Sequence, residues 1–334
     1  MEALLVETIP HGEEWQYEPK WDGFRCVAFR DGGNVELMSK SGKPLARYFP
    51  DVVETVKAIR ADRFVLDGEI VIPIENTLSF DALLMRIHPA KSRVTKLAAA
   101  TPATYIVFDL LTAPDGNSLT GLPLFERRKL LESFVGSCAP GLDRLLLSPA
   151  TTDLDEVERW LKSVGSGLDG IIAKRADLDY QSGTRKGMQK VKQFRTADCV
   201  VGGFRYASRG NLVGSLLLGL YDEEGLLHHV GFSSNVPSAD KASVTKKLEA
   251  LVEPPGFTGN APGGPSRWST ERTGEWQPLR TELVVEVSYD YFNGGQFRHG
   301  TSFHRWRPDK APRQCTMKQL AKESSSALTL LGPS

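Results

Sequence analysis

Lys20-Trp21-Asp22-Gly23-Phe24-Arg25 is the stretch of sequence from which the fold can be predicted. Two apolar segments with strand composition follow it, at residues 24–30 and 35–40. The turn residues Asp31-Gly32-Gly33-Asn34 join them and predict a β-hairpin. Lys20 therefore lies where an extended segment enters a sheet, beside a carboxylate, a glycine and an arginine.

Lys20 is a candidate nucleophile. A lysine attacks an electrophile only after its ammonium group has lost a proton. Burial and nearby positive charge favour that loss, whereas a nearby carboxylate such as that of Asp22 opposes it. Taken alone, the stretch leaves a second interpretation open, in which Lys20 and Arg25 are exposed side chains on either side of a turn.

The composition is typical of a globular, intracellular protein with two domains. The chain has 334 residues, and domains usually contain about 100–200 residues. Its four cysteines form no C-x-x-C pair, which argues against a zinc site or a disulfide framework and favours a reducing compartment. The first residues are too few and too acidic for a signal peptide, and no apolar run approaches the ~20 residues of a membrane span.

Two predicted strands carry a polar or aromatic residue within apolar sequence. In residues 64–72 it is Glu69, and a carboxylate in such a strand is costly unless it is paired or bound to a cation. A strand-end carboxylate that faces water is the alternative interpretation of Glu69. In residues 105–111 it is Phe108, and an aromatic ring there is more often part of the core than of a binding site.

Two basic stretches predict an anionic ligand. Residues 174–195 contain seven Lys or Arg and two Asp, and residues 290–322 again contain seven and two. Because the formal net charge of the chain is zero, this charge is concentrated locally. Strand alternation places Lys190 and Lys192 on one face. Lysines that protect an exposed strand edge, and a solvated basic surface, remain the alternatives.

The sequence after residue 198 has a different texture. Short predicted strands follow one another with a single helix at 238–252, which indicates a small β domain in about 130 residues. Residues 193–198 are predicted to form a hinge before it. His228, His229, His299 and His304 fall in this region, but no cysteine or carboxylate completes a metal site.

The ordered motifs of the chain resemble those of ATP-dependent DNA ligases. The stretch K-x-D-G-x-R is the nucleotidyltransferase motif of DNA ligases, RNA ligases and mRNA capping enzymes, in which the lysine attacks the α-phosphate of a nucleotide. Six motifs match in the family order, at residues 20–25, 66–69, 108–111, 169–174, 190–192 and 307–310. The segment 196–206 resembles the bacterial ligase C type.

The resemblance implies an α+β fold. An adenylation (nucleotidyltransferase) domain of antiparallel sheets with flanking helices is expected over residues 1–194, and a small β-barrel OB-fold domain over residues 195–334. The implied function is the ATP-dependent sealing of nicks in duplex DNA through a lysyl-AMP intermediate, in DNA repair.

The resemblance also implies ligands, partners and a location. The expected cofactors are ATP and Mg²⁺ or Mn²⁺. The expected partner is nicked double-stranded DNA, with a repair polymerase as a further candidate. A monomer without membrane attachment is expected, in the bacterial cytoplasm and associated with the nucleoid.

The implied site residues match the family motifs one by one. Catalytic roles are implied for Lys20, Lys190, Lys192, Arg307, Asp309 and Lys310. Nucleotide binding is implied for Glu18, Arg25, Glu69, Phe108, Lys174, Lys190 and Lys192. Glu69 and Asp169 are the implied metal ligands, and Lys40 and Lys43 the implied DNA contacts. The chain departs from the family pattern at Asp169, where glutamate is usual, and at Lys40, where arginine is usual.

Two other functions share parts of this pattern. An RNA ligase or a capping-type nucleotidyltransferase would carry the first motif, and RNA joining or GTP use would distinguish them. A non-catalytic module that binds nicked DNA would keep the basic stretches but would form no lysyl-AMP adduct, and the presence of Lys20 argues against it.

Overall fold

The computed structural model describes residues 1–75, 77–164, 168–192, 195–263, 275–290, 292–297, 300–320 and 327–331. The chain divides into two compact units. The first unit contains Met1–Gln193 and Glu323–Ser334, and the second contains Phe194–Lys322. Among the helices in these ranges, none is long and apolar enough to cross a membrane.

The first unit contains eleven strands and five helices within its described ranges. The strands are β1 (Leu4–Val6), β2 (Trp15–Pro19), β3 (Phe24–Asp31), β4 (Asn34–Ser39), β5 (Arg63–Val71), β6 (Pro73–Ile74), β7 (Thr77–Leu78), β8 (Thr104–Thr112), β9 (Leu145–Leu147), β10 (Gly170–Arg175) and β11 (Met188–Lys192). The helices are α1 (Pro50–Ala58), α2 (Phe80–Arg86), α3 (Lys91–Ala100), α4 (Leu124–Cys138) and α5 (Leu154–Val164).

Two sheets form the framework of the first unit. A five-stranded sheet has the order β4-β3-β5-β8-β9, and a four-stranded sheet has the order β1-β11-β10-β2. Both are antiparallel except for the parallel pairs β8–β9 and β1–β11. The predicted hairpin is confirmed, because β3 and β4 pair in register from Cys26 opposite Ser39 to Asp31 opposite Asn34.

The helices of the first unit begin where the sequence supplies a suitable first turn. Pro50 occupies the start of α1, where its missing N–H costs no hydrogen bond. The hydroxyl of Ser79 accepts a hydrogen bond from the amide of Ala82 and caps α2. Helix α3 has no side-chain cap, and its buried residues are Val94 and Ala98, four positions apart on one face.

In its described residues, the second unit contains eight strands and one α-helix. The strands are β12 (Arg195–Tyr206), β13 (Val213–Tyr221), β14 (Leu227–Ser233), β15 (Gln277–Pro278), β16 (Val284–Tyr289), β17 (Phe292–Asn293), β18 (Gln296–Phe297) and β19 (Ser302–Trp306). The helix is α6 (Lys241–Glu249), and short 3₁₀ turns lie at Ser238–Asp240, Pro312–Gln314 and Met317–Leu320.

The main sheet of the second unit curves into a small barrel. Its order is β14-β13-β12-β16-β19, with β15 also paired to β12. At one end the two edge strands meet, because the amide of Thr301 donates to the carbonyl of Phe232 at 3.2 Å and Ser233 bridges to Thr301. The predicted α+β architecture, an antiparallel nucleotidyltransferase unit followed by a small OB-type barrel, is confirmed.

Two details differ from the sequence-based boundaries. Residues 193 and 194 of the predicted hinge lie outside the described residues, and residues 195–198 are part of β12, paired to β16. The predicted second domain extended to residue 334, but the 3₁₀ turn Ala327–Leu331 belongs to the first unit. The turn is apolar, and Ala327 is buried against the cluster that contains Trp160.

Candidate active site

A cleft in the first unit gathers residues from five of the sequence motifs. It is open to solvent and lined mainly by charged side chains, with an aromatic ring and a few apolar residues among them. Its lining residues include Glu18, Lys20, Arg25, Lys40, Glu69, Phe108, Ile172, Lys174 and Lys190. Most of the sequence-predicted nucleotide ligands are therefore brought together in one place.

Lys20 is held from both sides. Its amide donates to the carbonyl of Gly170 at 2.9 Å, which continues the pairing of β2 with β10. The next residue, Trp21, is buried, and its indole N–H donates to Ser148 Oγ at 2.9 Å. The ammonium group of Lys20 forms an ion pair with Asp169 Oδ2. The backbone and the neighbouring ring thus fix the base of the lysine while a carboxylate orients its tip.

Two glycines of the motifs are required by close backbone approaches. Gly170 has φ of +141°, and a Cβ atom there would lie 2.0 Å from the carbonyl oxygen of Val191. A Cβ atom at Gly23 would lie 2.3 Å from the carbonyl oxygen of Ile70. A side chain at Gly170 would force β10 away from β11, and one at Gly23 would force the segment after Lys20 away from β5.

Glu18 and Lys174 form a buried pair at the inner end of the cleft. Lys174 Nζ donates to Glu18 Oε2 at 2.7 Å, and Gln16 Nε2 donates to the other carboxylate oxygen at 2.8 Å. The same ammonium group lies 4.3 Å from the centre of the Phe108 ring, a cation–π contact. This end of the cleft thus combines an aromatic face with a carboxylate whose two oxygens are both fixed.

Arg25 is fixed by a buried acid. Its guanidinium group donates to both oxygens of Asp67, at 3.1 and 2.6 Å, and Tyr180 donates to the same carboxylate at 2.7 Å. Although burial alone would raise the pKa of Asp67, Arg25 and Tyr180 hold that pKa below its usual value. The carbonyl of Met1 also accepts a hydrogen bond from Arg25.

The charges around Lys20 change the proton affinity of its neighbours. Burial raises the pKa of Glu69 to about 8, although the nearby charges of Lys20 and Arg25 oppose this rise. The pKa of Lys190 is lowered, first by burial and then by the charges of Lys20, Lys192 and Lys40. The cleft is therefore rich in positive charge, and Glu69 favours its neutral form near pH 7.

The carboxylates around Lys20 can be tested as ligands for the metal that the motifs imply. Glu69 and Asp169 offer oxygen donors, which suit Mg²⁺, and Mg²⁺ is often held by one or two carboxylates together with substrate phosphates. A group of three or more candidate metal ligands is absent from the described residues. Two oxygen donors beside an anion-binding cleft fit a metal that arrives with a nucleotide.

The remaining first-unit candidates lie at the rim. Lys40 is 59% exposed and forms a long ion pair with Glu2 at 3.5 Å. Lys43 is exposed in the turn after β4. Lys192 follows Lys190 by two positions in β11. Lys40 is thus one of the residues that line the cleft, whereas Lys43, three positions later in the sequence, is not.

The terminal motif forms a charged cluster in the second unit. Arg307 donates to both oxygens of Asp309, with Nη2 to Oδ2 at 2.8 Å, which lowers the pKa of Asp309 to about 2. Arg307 Nη1 donates to Asp198 Oδ1 at 2.8 Å, and Lys310 Nζ donates to Asp198 Oδ2 at 2.7 Å. Asp198 in β12 therefore joins the two cations of the motif.

Sequence reasoning missed Asp198 and Gln16. A catalytic role was expected for Asp309, which pairs with Arg307, but Asp198 pairs with both Arg307 and Lys310. Gln319 fixes Asp198 in turn, because its side-chain amide bonds to the amide and the carbonyl of that residue at 2.9 Å each. The sequence offered one signal for Asp198, because it is an acidic residue beside the apolar segment of a predicted strand. The same kind of signal made Glu69 a candidate.

Among the described histidines of the second unit, His228 is paired, whereas Nε2 of His229 is buried without a hydrogen-bond partner. His228 Nε2 lies 2.6 Å from Asp222 Oδ2, and His228 Nδ1 accepts from the amide of Asn260. Burial lowers the pKa of His229 to about 4. His299 lies outside the described residues.

Comparison with known proteins identifies relatives over nearly the whole chain. The family model described as ATP dependent DNA ligase domain matches residues 5–192, and the model described as ATP dependent DNA ligase C terminal region matches residues 209–310. DNA ligase C2 of Mycolicibacterium smegmatis is 46% identical, over 98% of this chain and 96% of that protein. DNA ligase C of Mycobacterium tuberculosis is 43% identical, over 100% of this chain and 96% of that protein.

A solved structure from a study of Lig E DNA ligases has a similar fold. The TM-score is 0.53 at 18% identity, over 92% of this chain and 100% of that one. At this identity the likeness concerns the fold alone, and it agrees with the two-unit architecture described above.

Proposed function

Since the chain belongs to the ATP-dependent DNA ligases, of the ligase C type, we propose that Lys20 is the residue that carries AMP from ATP to the nick. The protein is an ATP-dependent DNA ligase of DNA repair and acts on nicked DNA. The observation that supports Lys20 most directly is its position in the cleft, fixed through its backbone and Trp21 and surrounded by Asp169, Glu69 and Lys190.

The inner end of the cleft suits a purine. The Phe108 ring offers a stacking surface, and the carboxylate of Glu18 is an acceptor for the exocyclic amino group of adenine. A guanine would present a carbonyl oxygen there, which the same carboxylate would repel. Arg25, held by Asp67, is placed to contact the ribose. These residues therefore account for selection of ATP.

The chemistry at Lys20 is a displacement at phosphorus. The nitrogen of Lys20 bonds to the α-phosphorus, the bond from that phosphorus to the bridging oxygen breaks, and pyrophosphate leaves. Lys20 attacks as the neutral amine, so its proton must leave before the bond to phosphorus forms. Lys190 and Lys192 then neutralise charge on the α-phosphate, the kind of stabilisation on which phosphoryl transfer depends most.

A divalent cation fits this site. When bound, Mg²⁺ or Mn²⁺ would supply positive charge to the phosphate oxygens. Glu69 and Asp169 are the residues that would hold it, and Glu69 would have to give up the proton that its raised pKa favours. Asp169 would have to exchange its contact with Lys20 for a contact with the cation.

The cluster in the barrel suits the leaving group. Arg307 and Lys310 carry positive charge that complements pyrophosphate, and Asp309 and Asp198 hold them in place. To serve ATP they must contact the nucleotide, so we infer that the barrel closes on the bound ATP in the first step. The later steps release no pyrophosphate and need these cations less.

DNA and its surroundings complete the proposal. Lys40, which lines the cleft, and Lys43, which is exposed in the turn after β4, would contact the 5′-phosphate side of the nick. A relative of 31% identity, from Pseudomonas aeruginosa, is named a multifunctional non-homologous end joining protein, which motivates a repair polymerase as a partner. Because the substrate is DNA, we expect the enzyme in the bacterial cytoplasm, at the nucleoid. We also expect it to be a monomer.

A labelling experiment tests the role of Lys20. The purified protein is incubated with α-labelled ATP and Mg²⁺, and transfer of label to protein is measured. Lys20→Ala should abolish the transfer, while Lys162→Ala, an exposed lysine paired to Glu158, should retain it. Label on the Lys20→Ala protein at the wild-type level would refute the assignment.

A further inference from the structure

We propose that a line of exposed cations on the first unit, from the rim of the cleft to helix α3, binds the sugar–phosphate backbone of one duplex arm beside the nick. We call it the basic track. Its residues are Lys40, Lys43, Arg47, Lys91, Arg93 and Lys96. The proposal rests on the proposed function only in that Lys40 is taken to face the nick.

The sequence around α3 has an unusual charge balance. Residues 82–108 contain four Lys or Arg and no Asp or Glu. One of these cations, Arg86, is buried and paired with Asp51. The other three, Lys91, Arg93 and Lys96, are exposed on α3. The positive charge of this segment is therefore directed to solvent.

These three cations are not neutralised by neighbouring acids. Within the described part of the chain, no carboxylate lies within ion-pair distance of Lys91, Arg93 or Lys96. Other surface lysines of the same unit are paired, for example Lys57 with Glu54 at 3.0 Å and Lys162 with Glu158 at 2.9 Å. Like charges on one short helix repel each other, and an anionic ligand would relieve that repulsion.

The segments that carry the track are linked from the cleft to α3. Lys40 lines the cleft, and the turn that follows returns to β4 through a hydrogen bond from the amide of Ser39 to the carbonyl of Lys43. Arg47 then donates to the carbonyl of Pro89 at 3.0 Å, which ties this segment to the start of α3. Arg47 and Lys91 line one surface groove.

The dimensions and surface of α3 suit a phosphate backbone. Arg93 and Lys96 are three residues apart and are neighbours on one side of α3, and Lys91 lines the groove that also contains Arg47. The exposed residues between and beside the cations include Ser92, Ala99 and Ala100, which are small and allow close approach. The surface therefore favours a regular polyanion rather than a single small anion.

The test removes charge from α3 and compares it with a matched control. The variant Lys91→Gln/Arg93→Gln/Lys96→Gln loses three unpaired cations. The control Arg63→Gln/Arg159→Gln/Lys162→Gln loses three cations that are paired with acids outside the groove of the track. Affinity for nicked duplex is measured as a function of salt concentration. Three substrates are compared: one with two arms of about two helical turns each, and two in which one arm or the other is shortened to roughly half a turn. Enzyme-adenylate formation without DNA is measured in parallel.

If the track binds one duplex arm, the α3 variant should lose affinity only for substrates in which that arm is long. Each lost phosphate contact should reduce the slope of log affinity against log salt by about 0.9, so the α3 variant should lose up to about 2.7 in slope and at least tenfold in affinity near 0.1 M salt. The control should change little, and adenylate formation should be normal.

Three results would overturn the proposal. Unchanged affinity and slope on all substrates would mean that the occupant is not DNA, and an acidic protein would become the candidate. An equal loss on short arms or in the control would indicate only a general charge effect. Slow adenylate formation in the α3 variant would place these cations at the nucleotide instead. If the wild-type protein formed no adenylate, the proposed function itself would be wrong. The failure of the track and the failure of the proposed function can therefore be distinguished.

Discussion

Replacing Asp198 by asparagine should separate the first chemical step from the others. Lys310 has Asp198 as its one ion-pair partner among the described residues, whereas Arg307 also keeps Asp309. The substitution therefore releases Lys310 and leaves Arg307 largely in place. If Lys310 serves the pyrophosphate leaving group, its release should slow enzyme-adenylate formation.

The size of the effect follows from the freedom that Lys310 regains. A lysine side chain carries about 2 kcal/mol of rotamer entropy, which corresponds to roughly 30-fold in rate. Asparagine retains an oxygen that can accept one hydrogen bond, so we expect a smaller loss of about 5- to 30-fold. Removing the charge altogether, as in Lys310→Ala, should cost more.

The assay measures two reactions on one protein. Enzyme-adenylate formation is followed in a single turnover with labelled ATP, and sealing is followed on a nick supplied already adenylated. Asp198→Asn should slow the first and spare the second. Asp222→Asn, which removes a carboxylate paired with His228 in the same barrel, is the control for barrel stability.

Two outcomes would refute the reasoning, at different points. Wild-type adenylate formation by Asp198→Asn, with slow formation by Lys310→Ala, would show that Asp198 is not a positioning residue. Equal losses in both reactions for both variants would show that these residues serve DNA rather than the leaving group.

Three further predictions concern the cleft. Asp169→Asn should lose much more adenylate formation than Asp169→Glu, because the charge matters more than one methylene; equal activity of Asp169→Asn and wild type would contradict this. Between about pH 4.5 and pH 8 the folded protein holds a proton on Glu69 that the unfolded chain does not, so its unfolding free energy should fall as pH rises. Glu69→Gln should flatten this slope in thermal unfolding, and parallel slopes would exclude the raised pKa. A double-mutant cycle of Trp21→Phe and Ser148→Ala should give a coupling of about 0.5–1.5 kcal/mol in unfolding free energy, and simple additivity would count against their hydrogen bond.

Local patterns predicted the hairpin, which is confirmed. Lys20 could be located because it precedes that hairpin, and Glu69 because a carboxylate within an apolar strand is costly. Their assembly in one cleft was inferred from family motifs, and the structure brings them together. Their individual roles remain proposals.

Contacts between distant parts of the chain could not be predicted. Asp198 is separated from Arg307 by 109 residues and from Lys310 by 112, so no local pattern links them. Helix α3 lacks a side-chain cap and depends on packing of Val94 and Ala98, which local sequence does not reveal. Its charge balance was visible, but the two basic stretches that drew attention lie elsewhere in the chain.

The terminal turn Ala327–Leu331 has a consequence for the order of synthesis. The first unit begins at residue 1, yet it includes this turn, so the barrel is inserted within it. Until the turn leaves the ribosome, the apolar cluster around Trp160 lacks part of its cover. The barrel can fold earlier, since domains generally fold as units during translation. The first unit thus begins to be synthesised first but is completed last. A protein truncated after residue 192 should expose the apolar surface around Trp160 that residues 327–331 cover, and this surface should promote aggregation.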